Sequence, residues 1–227
     1  MSIFTKKVGY PVLTVTESKA DRRIKIRQDR FLQSKDTTGN ENETLYPVSL
    51  GLATAKGLGK DILLEKREME VELEDMDFFK LNSRHSGFYR TLYTPERLTK
   101  LGTAMNAGMV SVEDRIGVIA DASALASSGY QKTSALLGLL AGLKNEKEPF
   151  VWKQINSSLT SIQEAFKFEN EGLQKALLKF KRELVAPQAK ALGWNFDDSG
   201  DISITKHKGE IFEAAAEAGD PTCVVHQ

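Results

Sequence analysis

The sequence predicts a two-part α+β chain: an all-β sandwich over residues 1–93, followed by an all-α helical-repeat domain of the α-solenoid kind over residues 94–227. Three observations carry that prediction. Apolar residues alternate with polar ones at every second position up to about Tyr93. From Thr94 they recur every three to four positions instead. The change falls on Thr94-Pro95, a pair suited to open a helix, with Thr capping the first free N–H groups and Pro at the first helical position, where its missing donor is harmless.

The strands are justified one by one. Val12 to Glu17 is rich in β-branched residues, and Ile24 and Ile26 alternate with Arg23, Lys25 and Arg27. Met69, Val71 and Leu73 alternate with Glu68, Glu70, Glu72 and Glu74, so one strand face can enter a core while the other presents carboxylates. Leu45 to Leu50, Ile62 to Leu64, Phe78 to Asn82 and Phe88 to Tyr93 bring the set to about seven short strands, the number typical of a sandwich. Turn-rich pieces separate them: Ser34 to Asn42, and Thr54 to Lys60.

Six helices are expected after Thr94. The first runs to about Met105; the second opens on Ser111 with Asp114 in a capping-box relation and stops at Gly129. A third covers about Gln131 to Leu143. A fourth begins near Pro149 and carries Trp152, Ile155, Leu159, Ile162 and Phe166 at spacings that form one stripe. A fifth sets Leu173, Leu177, Phe180 and Leu184 on one side before Pro187, which is expected to bend or end it, and a weaker sixth covers about Thr205 to Ala218. Helical stacks need a polar cap, and residues Pro221 to Gln227 do not read as one, so the helical domain is expected to be truncated or completed by another chain.

Composition narrows the function. The 227 residues include 31 Lys and Arg against 31 Asp and Glu, so no net field favours a nucleic acid or an anionic membrane. The longest apolar stretch, Ala135 to Leu143, is far below the roughly 20 residues a membrane span needs, and the first residues show no export signal. A single cysteine, Cys223, cannot form an internal disulfide, which suits a cytoplasmic setting.

Candidate chemistry is sparse. The three histidines, His85, His207 and His226, are far apart, and no H-E-x-x-H pair is present to hold zinc from one helical face. His85 reads as an exposed turn residue, and Cys223 as a thiol without a base. Gly51 to Lys60 (GLATAKGLGK) resembles a phosphate loop only superficially, lacks its spacing, and reads as a hairpin turn. Glu68, Glu70, Glu72 and Glu74 read as a solvated strand face rather than a cation site. Gly138 and Gly142 suit close helix packing, the Trp152 stripe suits a core, and the acceptor triplets at Asn42 and Asn156 have no export route to make them meaningful. No catalytic, cofactor-binding or metal-binding residue is assigned, and substrate-binding residues are unknown.

Several segments carry a resemblance in a fixed order. They are Gly9-Tyr10-Pro11-Val12-Leu13-Thr14-Val15; Ile26 to Gln28 with Arg30-Phe31-Leu32; Tyr46-Pro47-Val48; Asn82; and Gly87-Phe88-Tyr89-Arg90 with Tyr93. Leu101, Ser111-Val112-Glu113-Asp114-Arg115, Ala120-Asp121-Ala122 and Leu192-Gly193-Trp194 follow. Together they resemble the C-terminal part of zinc aminopeptidases of the aminopeptidase N type, most of all fungal cytosolic alanine/arginine aminopeptidases. The resemblance implies a sandwich and the start of a helical domain without the G-x-M-E-N, H-E-x-x-H, distal Glu and Tyr that do the chemistry. Gly39-Asn40-Glu41-Asn42 has only a passing likeness to the first of these motifs, and His207-Lys208-Gly209 departs from the family's usual Leu-Arg.

The expected function is therefore that of a non-catalytic C-terminal fragment of a zinc aminopeptidase-like protein. Zinc would belong to the parent rather than to this chain, the isolated chain would be inactive, and its helical surface would contact a peptide or protein partner. The alternative is a stand-alone interaction module that docks a separate catalytic half.

Overall fold

The computed structural model describes residues 2–34, 42–193 and 202–224. A short helix α1 (Ser2–Lys6) leads into nine strands: β1 (Tyr10–Ser18), β2 (Arg23–Phe31), β3 (Val48–Ser49), β4 (Ala53–Thr54), β5 (Gly57–Leu58), β6 (Leu63–Leu64), β7 (Glu68–Glu72), β8 (Phe79–Lys80) and β9 (Arg90–Leu92). Helices follow: α2 (Pro95–Asn106), α3 (Val112–Ser127), α4 (Thr133–Ala141), α5 (Pro149–Ala165), α6 (Glu171–Leu192), α7 (Ile202–Glu217) and α8 (Pro221–Val224). Sheet first and helices after, the chain has the two-part α+β build that its periodicity predicts.

The strands form three small sheets, of which the largest has the order β7-β2-β1-β9. Its β1–β2 and β2–β7 pairs are antiparallel, whereas β1 and β9 run parallel. Register follows the alternating pattern: Ile24 faces Val71 and Ile26 faces Met69, while Arg23, Lys25 and Arg27 stand opposite Glu72, Glu70 and Glu68. The glutamate face thus meets a basic stripe, with Lys25 Nζ 2.7 Å from Glu68 and Arg27 Nη1 3.0 Å from the same carboxylate. Such exposed cross-strand pairs set register more than they add stability.

Val12 and Leu13 are neighbours in β1, so their side chains leave opposite faces of the sheet. Both are buried, at 1% and 0% exposure, and the sheet is therefore covered on both sides there. Val12 and Phe31 pack with Leu125 of α3. The cover is thus partly helical, and the change of secondary structure at residue 94 is not where the compact units divide. They span Met1–Leu139 and Leu140–Gln227, so that α2, α3 and most of α4 belong with the strands.

The helix starts behave as local chemistry dictates. Thr94 Oγ1 accepts from the Arg97 N–H at 3.2 Å, and Ser111 Oγ accepts from the Asp114 N–H at 3.2 Å. Helix α3 ends at Ser127, and Gly129 then takes a left-handed φ of 72° that a side chain would resist.

In the second unit Trp152, Ile155, Leu159 and Ile162 of α5 are all buried, and Phe166 is half-buried. The indole Nε1 donates to the Glu146 carbonyl at 2.9 Å, which satisfies its one polar group inside the core. Of the two outcomes expected at Pro187, a bend or an end, the end does not occur: helix α6 continues to Leu192. Pro187 and Glu183, whose carbonyl loses its donor, both lie on the exposed side, where solvent can satisfy that carbonyl, while Val185, Gln188 and Ala189 stay buried.

Candidate functional site

The first unit buries Lys80, Arg97, Asp114 and Asp121, which concentrate where β8 and β9 meet α2 and α3. Lys80 is 1% exposed. Its ammonium has three donors and meets three oxygens: Leu81 O at 2.8 Å, Asn82 O at 2.6 Å and Asp114 Oδ1 at 2.7 Å. Burial pulls its pKa down, and Asp114 opposes that pull. The Ser111 cap therefore places Asp114 in the first turn of α3 for a tertiary role as well as a helical one.

One helical turn pair further on, Asp121 is 4% exposed and accepts from the Thr91 backbone N–H at 2.9 Å and from Arg90 Nη1 at 3.0 Å. Burial pushes the Asp121 carboxyl up to about 6, with the Thr91 N–H and the Arg90 guanidinium pulling the other way. Arg97 of α2 is also 1% exposed. It grips Glu17 through Nε at 2.9 Å and Nη2 at 2.6 Å, donates to the carbonyls of Asp77 and Met76, and lies 3.9 Å over the Phe79 ring. This bidentate fork ties α2 to the end of β1.

Between β8 and β9 the chain makes a tight turn through a short 3-10 segment, Ser83–His85. Asn82, Arg84 and His85 take left-handed φ values of 56°, 56° and 50°. Residues with a Cβ are roughly 1–2 kcal/mol uphill there. The Asn82 side chain holds the turn from within, accepting from the Gly87 N–H at 2.7 Å and donating to the Gly87 carbonyl at 3.1 Å. His85 is not the exposed turn residue expected of it; its half-buried ring lies on Gly117 of α3, where any Cβ would overlap the ring. Burial, followed by the nearby Lys80 charge, lowers its pKa.

The other expected features separate. His207 lies on α7 in the second unit, 5% exposed, and neither ring nitrogen has a hydrogen-bond partner among the described residues. His226, the 35–41 part of the turn-rich loop with its Gly39-Asn40-Glu41 likeness, and Trp194 fall outside the described residues. Cys223 is buried in α8, and burial pushes its thiol up, which keeps it protonated. The Gly51 to Lys60 stretch is the β4–β5 hairpin, with no helix behind it and with Lys56 paired to Glu74.

The described residues do not fit a zinc centre. Among them no three His, Cys, Asp or Glu side chains gather so as to hold a metal ion. The carboxylates of the buried network are already neutralised by Lys80, Arg90 and Arg97. What the arrangement does chemically is fix two helices onto a sheet through paired charges.

These buried pairs coincide with the segments that carry the sequence resemblance, Gly87 to Arg90, Ser111 to Arg115 and Ala120 to Ala122. Residues 78–226 match the family model described as the ERAP1-like C-terminal domain. The chain belongs to that family. Similar curated proteins include Aminopeptidase 2 of Candida albicans, 43% identical over 99% of this chain and 24% of its own length. Alanine/arginine aminopeptidase of Saccharomyces cerevisiae is 39% identical over 97% of this chain and 25% of its own. Glutamyl aminopeptidase of Bos taurus is 30% identical over 97% and 23%. The chain thus spans about a quarter of the length of these relatives. No helix among the described residues is long and apolar enough to cross a membrane.

Sequence reasoning did not find Lys80, Arg97 and Glu17 as a set. Charged residues in a sheet–helix seam follow no local spacing; Asp114 was marked by its capping-box relation to Ser111 and by the resemblance, and Asp121 by the resemblance alone.

Proposed function

We propose that this chain is the accessory, non-catalytic C-terminal portion of a zinc aminopeptidase-like protein, the parent activity being removal of N-terminal residues from peptides. The observation that carries this reading is coverage: relatives named as aminopeptidases align over 97–99% of this chain but only 23–25% of their own lengths. The buried ion pairs support it, because they spend this region's charged groups on holding the fold and leave none poised as a nucleophile with a base. The helical unit would then supply surface for a peptide or for the rest of the protein, in a cytoplasmic setting consistent with the free thiol of Cys223.

The test is direct. The purified 227-residue chain, with and without added zinc, is expected to hydrolyse neither alanyl- nor arginyl-anilide substrates. Chelator-sensitive turnover that co-elutes with the chain through successive columns would overturn the reading.

A second reading, a stand-alone module docking a separate catalytic half, is favoured by one feature. Phe168 is 92% exposed at the α5–α6 corner, next to a cavity of about 240 Å³ lined by Phe166, Leu177 and Leu178. Mixing the chain with the separately produced catalytic region of a relative, and following complex formation by sedimentation, distinguishes the two. Association lost on Phe168→Ser would favour docking, and the absence of any complex would remove it.

A further inference from the structure

The β8–β9 turn gathers three left-handed residues within four positions. Strain of that kind collects at ligand clamps and switches when the surrounding structure holds it in place. The turn forms one side of an open pocket of about 300 Å³ lined by Tyr10, His85, Ser86, Phe88, Arg90 and Asp121 among others.

Arg90 is held in a fixed pose in this pocket. Nε donates to Tyr10 Oη at 2.7 Å and Nη1 to Asp121 at 3.0 Å, while the guanidinium carbon lies 5.5 Å from the Tyr10 ring centre and 5.3 Å from that of Phe31. Nη2 has no partner among the described residues, and a quarter of the side chain is open to solvent. A guanidinium already anchored through Nε and Nη1 presents its remaining N–H groups at little further entropic cost.

Beside it, His85 lines the same pocket and rests Nδ1, Cγ and Cε1 of its ring against Gly117. Burial keeps this ring neutral, so one nitrogen can donate. Phe88 supplies an apolar wall: it is 65% exposed, its ring 5.0 Å from Tyr10 and 6.2 Å from Phe4. Asp121 is the one acidic residue of the lining, and its carboxylate is occupied by Arg90 and the Thr91 N–H.

We propose that this pocket binds a carboxylate carried on a flat apolar group, the carboxylate accepting from Arg90 Nη2 with His85 as second donor and the apolar body lying on Phe88. This goes beyond the fragment reading and does not depend on it. The carboxylate can come from a free aryl acid or from an acidic side chain of a peptide.

The experiment is an amide-resolved NMR titration of the full 227-residue chain with phenylacetate, phenylacetamide, acetate, and acetyl-phenylalanyl-glutamyl-amide. Phenylacetate is expected to shift the amides of residues 85–90 saturably, with phenylacetamide and acetate each weaker by about tenfold or more. Arg90→Lys, which keeps a cation beside Asp121 but loses the fork, is expected to weaken phenylacetate about tenfold, and Phe88→Ser about threefold. Tighter binding of the capped peptide assigns the carboxylate to a protein ligand; tighter binding of phenylacetate assigns it to a free acid. Equal binding of acid and amide, affinity unchanged in both variants, or no saturable shift would overturn the proposal.

Discussion

In the unit spanning Met1–Leu139, Lys80, Arg90 and Arg97 lie buried or half-buried against Asp114, Asp121 and Glu17. In the unit spanning Leu140–Gln227 the apolar interior is built around Trp152, Ile155, Val185 and Ile211, with Glu146, Ser158, Lys181, Gln188, His207 and Asp220 also buried. The one buried Lys or Arg among its described residues, Lys181, reaches out to Glu217, which is 59% exposed at its side chain. The contrast separates two ways of specifying a fold. Apolar stripes tell a helix which face to bury but tolerate sliding, whereas an ammonium with three fixed acceptors admits one arrangement of its surroundings.

The strongest way to break that contrast is to remove one partner of the Lys80 pair. Asp114→Ala leaves a buried ammonium uncompensated and is expected to destabilise the first unit by about 3–5 kcal/mol in urea titrations. Lys80→Met with Asp114→Leu should recover most of the loss, since apolar replacement of both partners is often neutral. A loss below about 1 kcal/mol for the single variant would mean that the pair is solvated in practice.

Next in size is Gly117→Ala, whose methyl group would overlap the His85 ring. Overpacking of this sort costs about 1–3 kcal/mol. The cost should largely vanish in a His85→Ala background, and a cycle of the four proteins measures the coupling.

The second unit offers a pH test. Burial lowers the His207 pKa, while Glu210 and Glu148 act to raise it. The unfolded chain therefore binds a proton more readily than the folded one. Stability is intact above the unfolded value of 6.5 and falls as pH drops below it. Urea midpoints measured on either side of that value should show the fall, and His207→Leu should abolish this share of it. A pH-independent midpoint would show that the ring is hydrated after all.

The smallest effect sharpens the contrast from the surface side. Glu70→Gln removes an ion pair to Arg23, at 3.5 Å between half-exposed side chains. It is expected to change stability by no more than about 0.5 kcal/mol, and less at high salt.

What could be read from the residues divides along the same line. Thr94 and Ser111 were legible as caps because a cap is a local event, settled within three residues. The Trp152 stripe was legible because one helix face carries it whole. Arg97 and Glu17 stand 80 positions apart, and no spacing rule joins them. The glutamates of β7 were read as a water-facing row, and that face is indeed exposed; its basic counterpart on β2 needed the strand register to appear. Pro187 was read as a bend or an end because a missing donor weakens a helix at that point, and the exposed side it falls on explains why α6 continues. The His85 ring was misread because the space that receives it is made by Gly117, in a different element.

The parallel pairing of β1 with β9 has a consequence for synthesis. Residues 12–14 dock beside residues 90–92, so a ribosome must deliver nearly the whole strand region before the outer flank of β1 is covered. Until then β1 and β2 can zip as a hairpin but leave a sticky rim, the kind that recruits neighbouring nascent chains.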